Sequence, residues 1–304
     1  TYFAKKMGID PTKIVNVALT PCTAKKFEIR RDEMNAASKY LGIEGMRDMD
    51  YVITTRELAM LAKDENIDFA NLPEADFDDF MGKGSGAGVI FGNTGGVMEA
   101  AIRSAYALIT KKEVPASLYD LEPVRGMEGI RDAVVDIDGL QVKVAVVYGT
   151  ANARKLIEKI KAGEADYHFV EVMTCPGGCI GGGGQPKDKE YKGDEQSEKR
   201  IEGLYKRDDA MQLRLSHENP QIKALYEEFY GEPLSELAEQ MLHTMYFDRS
   251  ADLGEAYVAP QAEEKPATKQ FRCKVCGYIY EGEALPEKYV CPLCKRPASM
   301  FEEV

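Results

Sequence analysis

The sequence predicts an α/β protein that ends in a small metal-binding module. Three observations predict it. Short β-branched runs alternate with helical periods from residue 13 to residue 163. Two cysteine motifs, at Cys22 and at Cys175 with Cys179, stand where such runs end, the position at which open α/β sheets gather ligands. Four of the seven cysteines then fall in a terminal stretch of roughly 35 residues, too short to bury a large core.

In chain order, KIVNVAL (13–19) reads as a buried strand and DYVIT (50–54) as another. The second runs into TTRELAMLAKDEN, where Thr54 and Glu57 have the spacing of a capping box and Leu58, Leu61 and Ala62 form an apolar face. GVIFG (88–92) has the look of a strand, and TGGVMEAAIRSAYALIT (94–110) is a helix opened by a Gly pair. QVKVAVVYGT (141–150) is a strand feeding the helix ANARKLIEKIKAG, and HFVEVMTC (168–175) is the next strand. Residues 198–247 read as helices. Residues 248–269 carry charge, Ala and Pro without a period and read as a linker between a domain at 1–247 and a module at 270–304.

A chain of 304 residues, 44% hydrophobic and 30% charged, is long enough for one large core or two ordinary ones. Its net charge of -12 disfavours nucleic acid and anionic membrane as partners. No run approaches the roughly 18 apolar residues of a membrane span, and no basic flank with an apolar core opens the chain, so the cytoplasm is the expected location. The opening TYFAKKMGID lacks Met and reads as the inside of an amphipathic helix, so the natural chain is expected to start upstream. The cysteines are clustered instead of spread through the chain, which favours metal ligation in a reducing compartment over a disulfide framework.

FRCKVCGYIYEGEALPEKYVCPLCKRP places Cys273, Cys276, Cys291 and Cys294 in two C-x-x-C knuckles with 14 residues between them. Four thiolates so spaced close a tetrahedral cage for Zn²⁺ or for one iron. CGYIYEG and LPEKYVCPLC resemble the shortened forms of rubredoxin. The resemblance implies a single iron used for one-electron transfer, with Tyr278, Tyr280 and Tyr289 as the aromatic core around it. A structural zinc ribbon is the alternative, because spacing does not separate the two metals.

MTCPGGCIGGGGQP (173–186) sets two thiols among six glycines. Neither GxGxxG nor GxxxxGK is present, so a phosphate cradle is the weaker reading. Thiolates are soft ligands for iron–sulfur clusters, and glycines let backbone N–H groups approach a bulky inorganic group. TPCTAKKFE (20–28) supplies a third thiol, Cys22, whereas a cubane usually takes four ligands.

EVMTCPGGCIGGGGQP, TPCTAKKFE and FGNTGGVMEAAIR together resemble the H-cluster domain of the iron-only, or [FeFe]-, hydrogenases. LYKRDDAMQLRLSHENPQIKALYEEFYGEPLSELAEQMLHTMY resembles the C-terminal helices of that family, so the likeness covers residues 1–247. It implies two lobes of mostly parallel sheet flanked by helices, with the cluster in the cleft between them. It also implies an H-cluster, a [4Fe–4S] cubane joined through one cysteine sulfur to a two-iron subsite, and reversible interconversion of H₂ with protons and electrons. By position, Cys22 and Cys175 are implied cubane ligands and Cys179 the cubane ligand that bridges to the subsite. Lys25 is implied to hold an iron-bound cyanide by a charge-assisted hydrogen bond. Pro21, Phe91, Gly92 and Met173 are implied to line the pocket, with Lys25, Cys179 and Met173 nearest the chemistry. The implied partners are H₂ and protons, a redox partner such as ferredoxin, rubredoxin or a flavin-containing subunit, and the maturation enzymes of the family.

Two departures from the family stand out. Thr20 occupies the place where the family often has Met, which is expected to put a hydroxyl near the subsite. The Cys-Cys-Pro motif that supplies the fourth cubane ligand and the proton-relay cysteine in the family is absent, for which truncation is the expected reason and a split enzyme or a chain that lost the motif the alternatives. A hydrogen-sensing regulatory protein and a non-catalytic iron–sulfur electron-transfer subunit are the alternatives. Elsewhere, His217 is expected in a turn before a helix and His243 on a packed helical face. Glu28 and Glu171 read as carboxylates that orient Lys25, pass protons or form structural salt bridges. GKGSGAGVIFG (82–92) reads as a flexible connection near the pocket, and Asp78 and Asp79 as a solvated helix start.

Overall fold

The protein is represented by a computed structural model that describes residues 1–187, 194–253, 269–275, 278–282 and 284–303. They divide into two units, Thr1–Met245 and Tyr246–Val304. In chain order the first unit contains α1 (Tyr2–Met7), β1 (Val17–Thr20), α2 (Lys25–Glu28), α3 (Ala36–Leu41), β2 (Tyr51–Thr54), α4 (Thr55–Asp64), α5 (Gly86–Ile90) and α6 (Gly96–Thr110). It continues with β3 (Ile130–Ile137), β4 (Leu140–Tyr148), α7 (Thr150–Lys161), β5 (Phe169–Met173), α8 (Glu195–Ala210), α9 (Pro220–Leu225) and α10 (Glu236–Leu242). No helix among the described residues is long and apolar enough to cross a membrane.

This is mixed α/β architecture built on small sheets. β1 and β2 pair in parallel, from Val17 opposite Tyr51 to Thr20 opposite Thr54. β4 is central to a three-stranded sheet, antiparallel to β3 and parallel to β5. The parallel pairs end together, at Thr20 with Thr54 and at Tyr148 with Met173, so Cys22 and Cys175 both follow strand ends as the sequence predicts. β4 is covered on both faces, which accounts for its unbroken Ala145–Val146–Val147 run. Val144 and Val146 pack with Met98 and Ile102 of α6, while Ala145 and Val147 pack with Leu156 of α7.

Helix α6 is tied to α8 by a buried ionic network. Arg103 is fully buried and donates to Asp208 at 2.9 and 3.1 Å and to Glu99 at 3.3 Å. Arg125 reaches the same Glu99, and Arg214 the same Asp208. Each buried carboxylate thus meets two guanidinium groups, the arrangement in which buried charge is tolerated.

Several elements differ from the sequence reading. The first strand contracts to Val17–Thr20 because Pro11–Lys13 forms a 3₁₀ turn capped by Asp10. The capping box of α4 forms with both arms, yet Leu61 is exposed and Ala62 is the buried residue of that helix. Residues 86–90 are a helix, not a strand: Ser85 caps it by accepting from Gly88 N, and packing against α8 overrides the β preference of Val89 and Ile90. β3 went unpredicted, although Asp138 and Gly139, at φ 55° and 93°, make the Asp-Gly turn that joins it to β4. Asp78 and Asp79 start no helix and lie exposed in an irregular segment. His217 lies in a 3₁₀ turn before α9, as expected, with Nδ1 2.9 Å from Ser104 Oγ. His243 ends α10 with an exposed side chain instead of packing on a helical face. Of the expected linker, residues 254–268 lie outside the described residues.

The second unit is a small antiparallel sheet, with β6 (Lys269–Cys273) between β7 (Ile279–Gly282) and β8 (Phe301–Glu303). Phe271, Tyr278, Tyr280, Leu285 and Tyr289 pack around Cys273, Cys291 and Phe301.

Candidate metal-cluster site

Three segments far apart in sequence meet at the ends of the parallel strands. The first is the turn after β1. Thr20 Oγ accepts from Cys22 N at 2.8 Å, so the hydroxyl expected near a subsite is engaged in shaping the turn that presents Cys22. The second is the loop after β5, in which Cys179 opens a 3₁₀ turn. The third is Phe91–Gly95, between α5 and α6. Thr94 N donates to Gly177 O at 3.0 Å and Ile180 N donates to Gly92 O at 2.9 Å, which fastens the third segment to the second. Gly184 N donates to Pro21 O at 2.8 Å, which fastens the second to the first.

The glycines serve this assembly directly. A Cβ at Gly184 would lie 2.6 Å from Thr54 Cβ and 3.0 Å from Pro21 O, and one at Gly182 would strike the same Pro21 carbonyl. Gly178 has φ +89°, and its Cβ would lie 2.6 Å from Thr94 N. The loop therefore lies directly on neighbouring chain at positions where any side chain would hold it off. Two arginines outside the motifs secure it further. Arg56, at the start of α4, donates to the carbonyls of Gly183 and Gln185 at 3.0 and 2.7 Å. Arg200 of α8 donates to Ile180 O at 2.7 Å. Sequence reasoning missed both; the one signal available was the position of Arg56 just beyond a strand end.

The site residues come together electrostatically as well. Desolvation of its sulfur, then the neighbouring Cys22 and Cys175, push the Cys179 thiol up, while Lys25 opposes them. Lys25 Nζ lies 2.7 Å from Glu28 Oε2, which raises the ammonium pKa, with Cys22 and Cys179 adding to the effect. Of the readings for Glu28, the structure shows the salt bridge, made with Lys25. Cys22 and Cys175 are half-buried and Cys179 is exposed. Of the expected pocket residues, Phe91 is exposed and Pro21, Gly92 and Met173 are half-buried. Glu171, next to this site, joins no direct salt bridge among the described residues; its two oxygens accept from Gly95 N at 2.6 Å and Met98 N at 2.7 Å.

The two sets of thiols differ in spacing. Among the described residues, Cys273, Cys291 and Cys294 are the group whose donor atoms all fall within 4.8 Å. The Cys273 and Cys294 sulfurs stand 3.6 Å apart, close to the roughly 3.8 Å edge of a tetrahedron with metal–sulfur bonds near 2.3 Å. That set fits one metal ion. Cys276, the fourth expected ligand, lies outside the described residues. Cys22, Cys175 and Cys179 influence one another but are not drawn to single-ion spacing, so this donor set suits a larger, multi-iron group.

The comparisons agree with this division. Residues 1–183 match the family model for the iron-only hydrogenase large subunit, C-terminal domain; residues 194–249 match the iron hydrogenase small subunit; and residues 271–302 match the rubredoxin-like domain of rubrerythrin. The chain is 49% identical over 250 residues to the NADP-reducing hydrogenase subunit HndD of Solidesulfovibrio fructosivorans, covering 82% of this chain and 40% of that protein. It is 42% identical over 248 residues to iron hydrogenase 1 of Clostridium pasteurianum, covering 81% of this chain and 42% of that one. Among solved structures, an apo [FeFe]-hydrogenase HydA1 from Chlamydomonas reinhardtii superposes with a TM-score of 0.65 at 42% identity, covering 81% of this chain and 66% of that chain. The chain thus spans about two fifths of the length of the curated relatives it matches. With three thiols and a lysine gathered by a glycine loop and a one-metal cysteine module following them, the chain belongs to the iron-only hydrogenase family and carries a rubredoxin-like domain.

Proposed function

We propose that residues 1–249 are part of an [FeFe]-hydrogenase catalytic domain that interconverts H₂ with protons and electrons, and that the C-terminal module is a one-iron electron-transfer centre. The observation that carries this reading is the gathering of Cys22, Cys175, Cys179 and Lys25 on one clamped cradle. Cys22 and Cys175 would hold the cubane, and Cys179 would share its sulfur between the cubane and the two-iron subsite. When bound, the H-cluster supplies the redox and heterolytic chemistry on H₂. The remaining work falls to the chain. Lys25, steered by Glu28, offers a charge-assisted donor to a cyanide ligand. Pro21, Phe91, Gly92 and Met173 would line the subsite.

Four of the seven cysteines belong to the C-terminal module and three to the cradle, so these residues would supply three of the four thiolates that a cubane usually takes. The protein would work in the cytoplasm, with a small redox protein or flavin subunit exchanging electrons at the rubredoxin-like centre. Infrared spectra of the protein, joined to a segment that carries the family's Cys-Cys-Pro motif and matured with the family's assembly enzymes, are expected to show CO and cyanide bands, with H₂-dependent dye reduction. A preparation that holds a [4Fe–4S] cluster but lacks both signals would sink the catalytic reading in favour of electron transfer alone.

A further inference from the structure

Glu171 is 5% exposed and sits on β5, four residues before Cys175. Its oxygens take separate backbone N–H groups, Gly95 at 2.6 Å and Met98 at 2.7 Å, at the start of the 15-residue helix α6. A carboxylate suits that position twice over, because it satisfies donors that the helix cannot pair internally and it faces the positive end of the helix dipole. The bond also closes a ring of contacts. From β5 the path runs through Glu171 to Gly95, back to Thr94, across to Gly177 and home to Cys175.

Arg131, 6% exposed, stands beside this ring. It donates to Thr94 Oγ at 3.0 Å and to the Gly126 carbonyl, and its Nε is buried without a partner among the described residues. It feels the Glu171 charge without bonding to it. Burial pushes the Glu171 carboxyl up, while the two amides and Arg131 favour its charged form, and among the described residues no direct ion pair neutralises it.

We propose that Glu171 is a positioning residue for the cluster site: it fixes the Phe91–Met98 turn against the strand that delivers Cys175, and its buried negative charge holds the reduction potential of a cluster on these thiols low. The geometric half stands on the protein alone. The electrostatic half rests on the proposed cluster. Adding an electron near a fixed carboxylate in a medium of low dielectric is opposed by repulsion, whereas Arg131 favours it. Replacing the two groups should therefore move the potential in opposite directions.

The test uses Glu171→Gln, Glu171→Asp and Arg131→Met. In protein without cluster, hydrogen exchange at the Gly95 and Met98 amides is expected to quicken at least tenfold in Glu171→Gln and to spread to Thr94 and Ile180. Unchanged exchange there would overturn the clamp. In cluster-loaded protein, redox titration followed by electron paramagnetic resonance is expected to shift the cluster midpoint upward in Glu171→Gln and downward in Arg131→Met. Glu171→Asp, which keeps the charge on a shorter arm, should disturb exchange more than potential. Shifts of the same sign in Glu171→Gln and Arg131→Met, or no shift in either, would overturn the electrostatic role. Failure of the unaltered protein to load a cluster overturns the proposed function instead, and leaves the clamp to be judged by exchange.

Discussion

Gly184 shows how a missing side chain builds a metal site. Its Cβ would press on Thr54 at 2.6 Å while its N–H donates to Pro21 O, so a methyl group has nowhere to go except between the loop and the turn of Cys22. Gly184→Ala is expected to cost about 1–3 kcal/mol, the usual toll of overpacking, and to lower iron bound at the three-thiol site because Cys22 moves away from its partners. Gly203 is the matched control. It lies within α8 with nothing within 4 Å of its Cβ position. Gly203→Ala is expected to stabilise by about 0.5–1 kcal/mol through helix propensity and to leave iron loading unchanged. Urea denaturation with iron analysis measures both. If Gly184→Ala loads iron like the parent, the glycine is not what sets the spacing of these segments.

At the scale of elements, α4 couples local sequence to pH. Glu57 is held down to about 2, first by Lys26 at 2.8 Å and then by the backbone and side chain of Thr54. A carboxylate whose folded pKa lies below its unfolded value near 4.3 stabilises the fold fully above that value and loses the contribution as pH falls toward 2. Glu57→Gln is therefore expected to flatten the stability profile between about pH 4.5 and pH 2, while Thr54→Ala costs about 1 kcal/mol at neutral pH through loss of the cap. Thermal melts across that range check both. A Glu57→Gln profile parallel to the parent's would show that the box contributes no pH-dependent stability. This helix was legible from sequence because its signals are local, four residues in a fixed pattern. Helix α5 was not, because its state depends on Asp208, over a hundred residues away, crowding Gly86. β3 was legible in principle through its Asp-Gly turn. The cysteine ligands were legible as motifs, but Arg56, Arg200 and the backbone partners of the glycines emerge only when strands 17–20, 51–54 and 169–173 end where they do.

For the molecule as a whole, its two kinds of cysteine site should depend on metal in different ways. The larger unit has a core of its own, with Met98, Val124, Val144 and Val146 fully buried, so its fold should outlast loss of a cluster. The C-terminal unit buries Cys273, Cys291 and Phe301 under a few rings, and Tyr289, pushed up to about 12 chiefly by its bond to Tyr278, sits among them. With so little apolar area, metal binding must supply a large part of its folding free energy. Stripping the metal with acid and chelator is expected to abolish amide protection at Cys273, Tyr280 and Phe301 while protection at Val144 and Val146 persists. Re-addition of Zn²⁺ should restore that protection without colour, and re-addition of iron should restore it with visible thiolate-to-iron absorption. Protection at Cys273 and Phe301 that survives metal removal would mean that the rings alone hold the module. Zinc recovered from protein grown and purified with ample iron would assign it a structural role and take electron transfer away from this end of the chain.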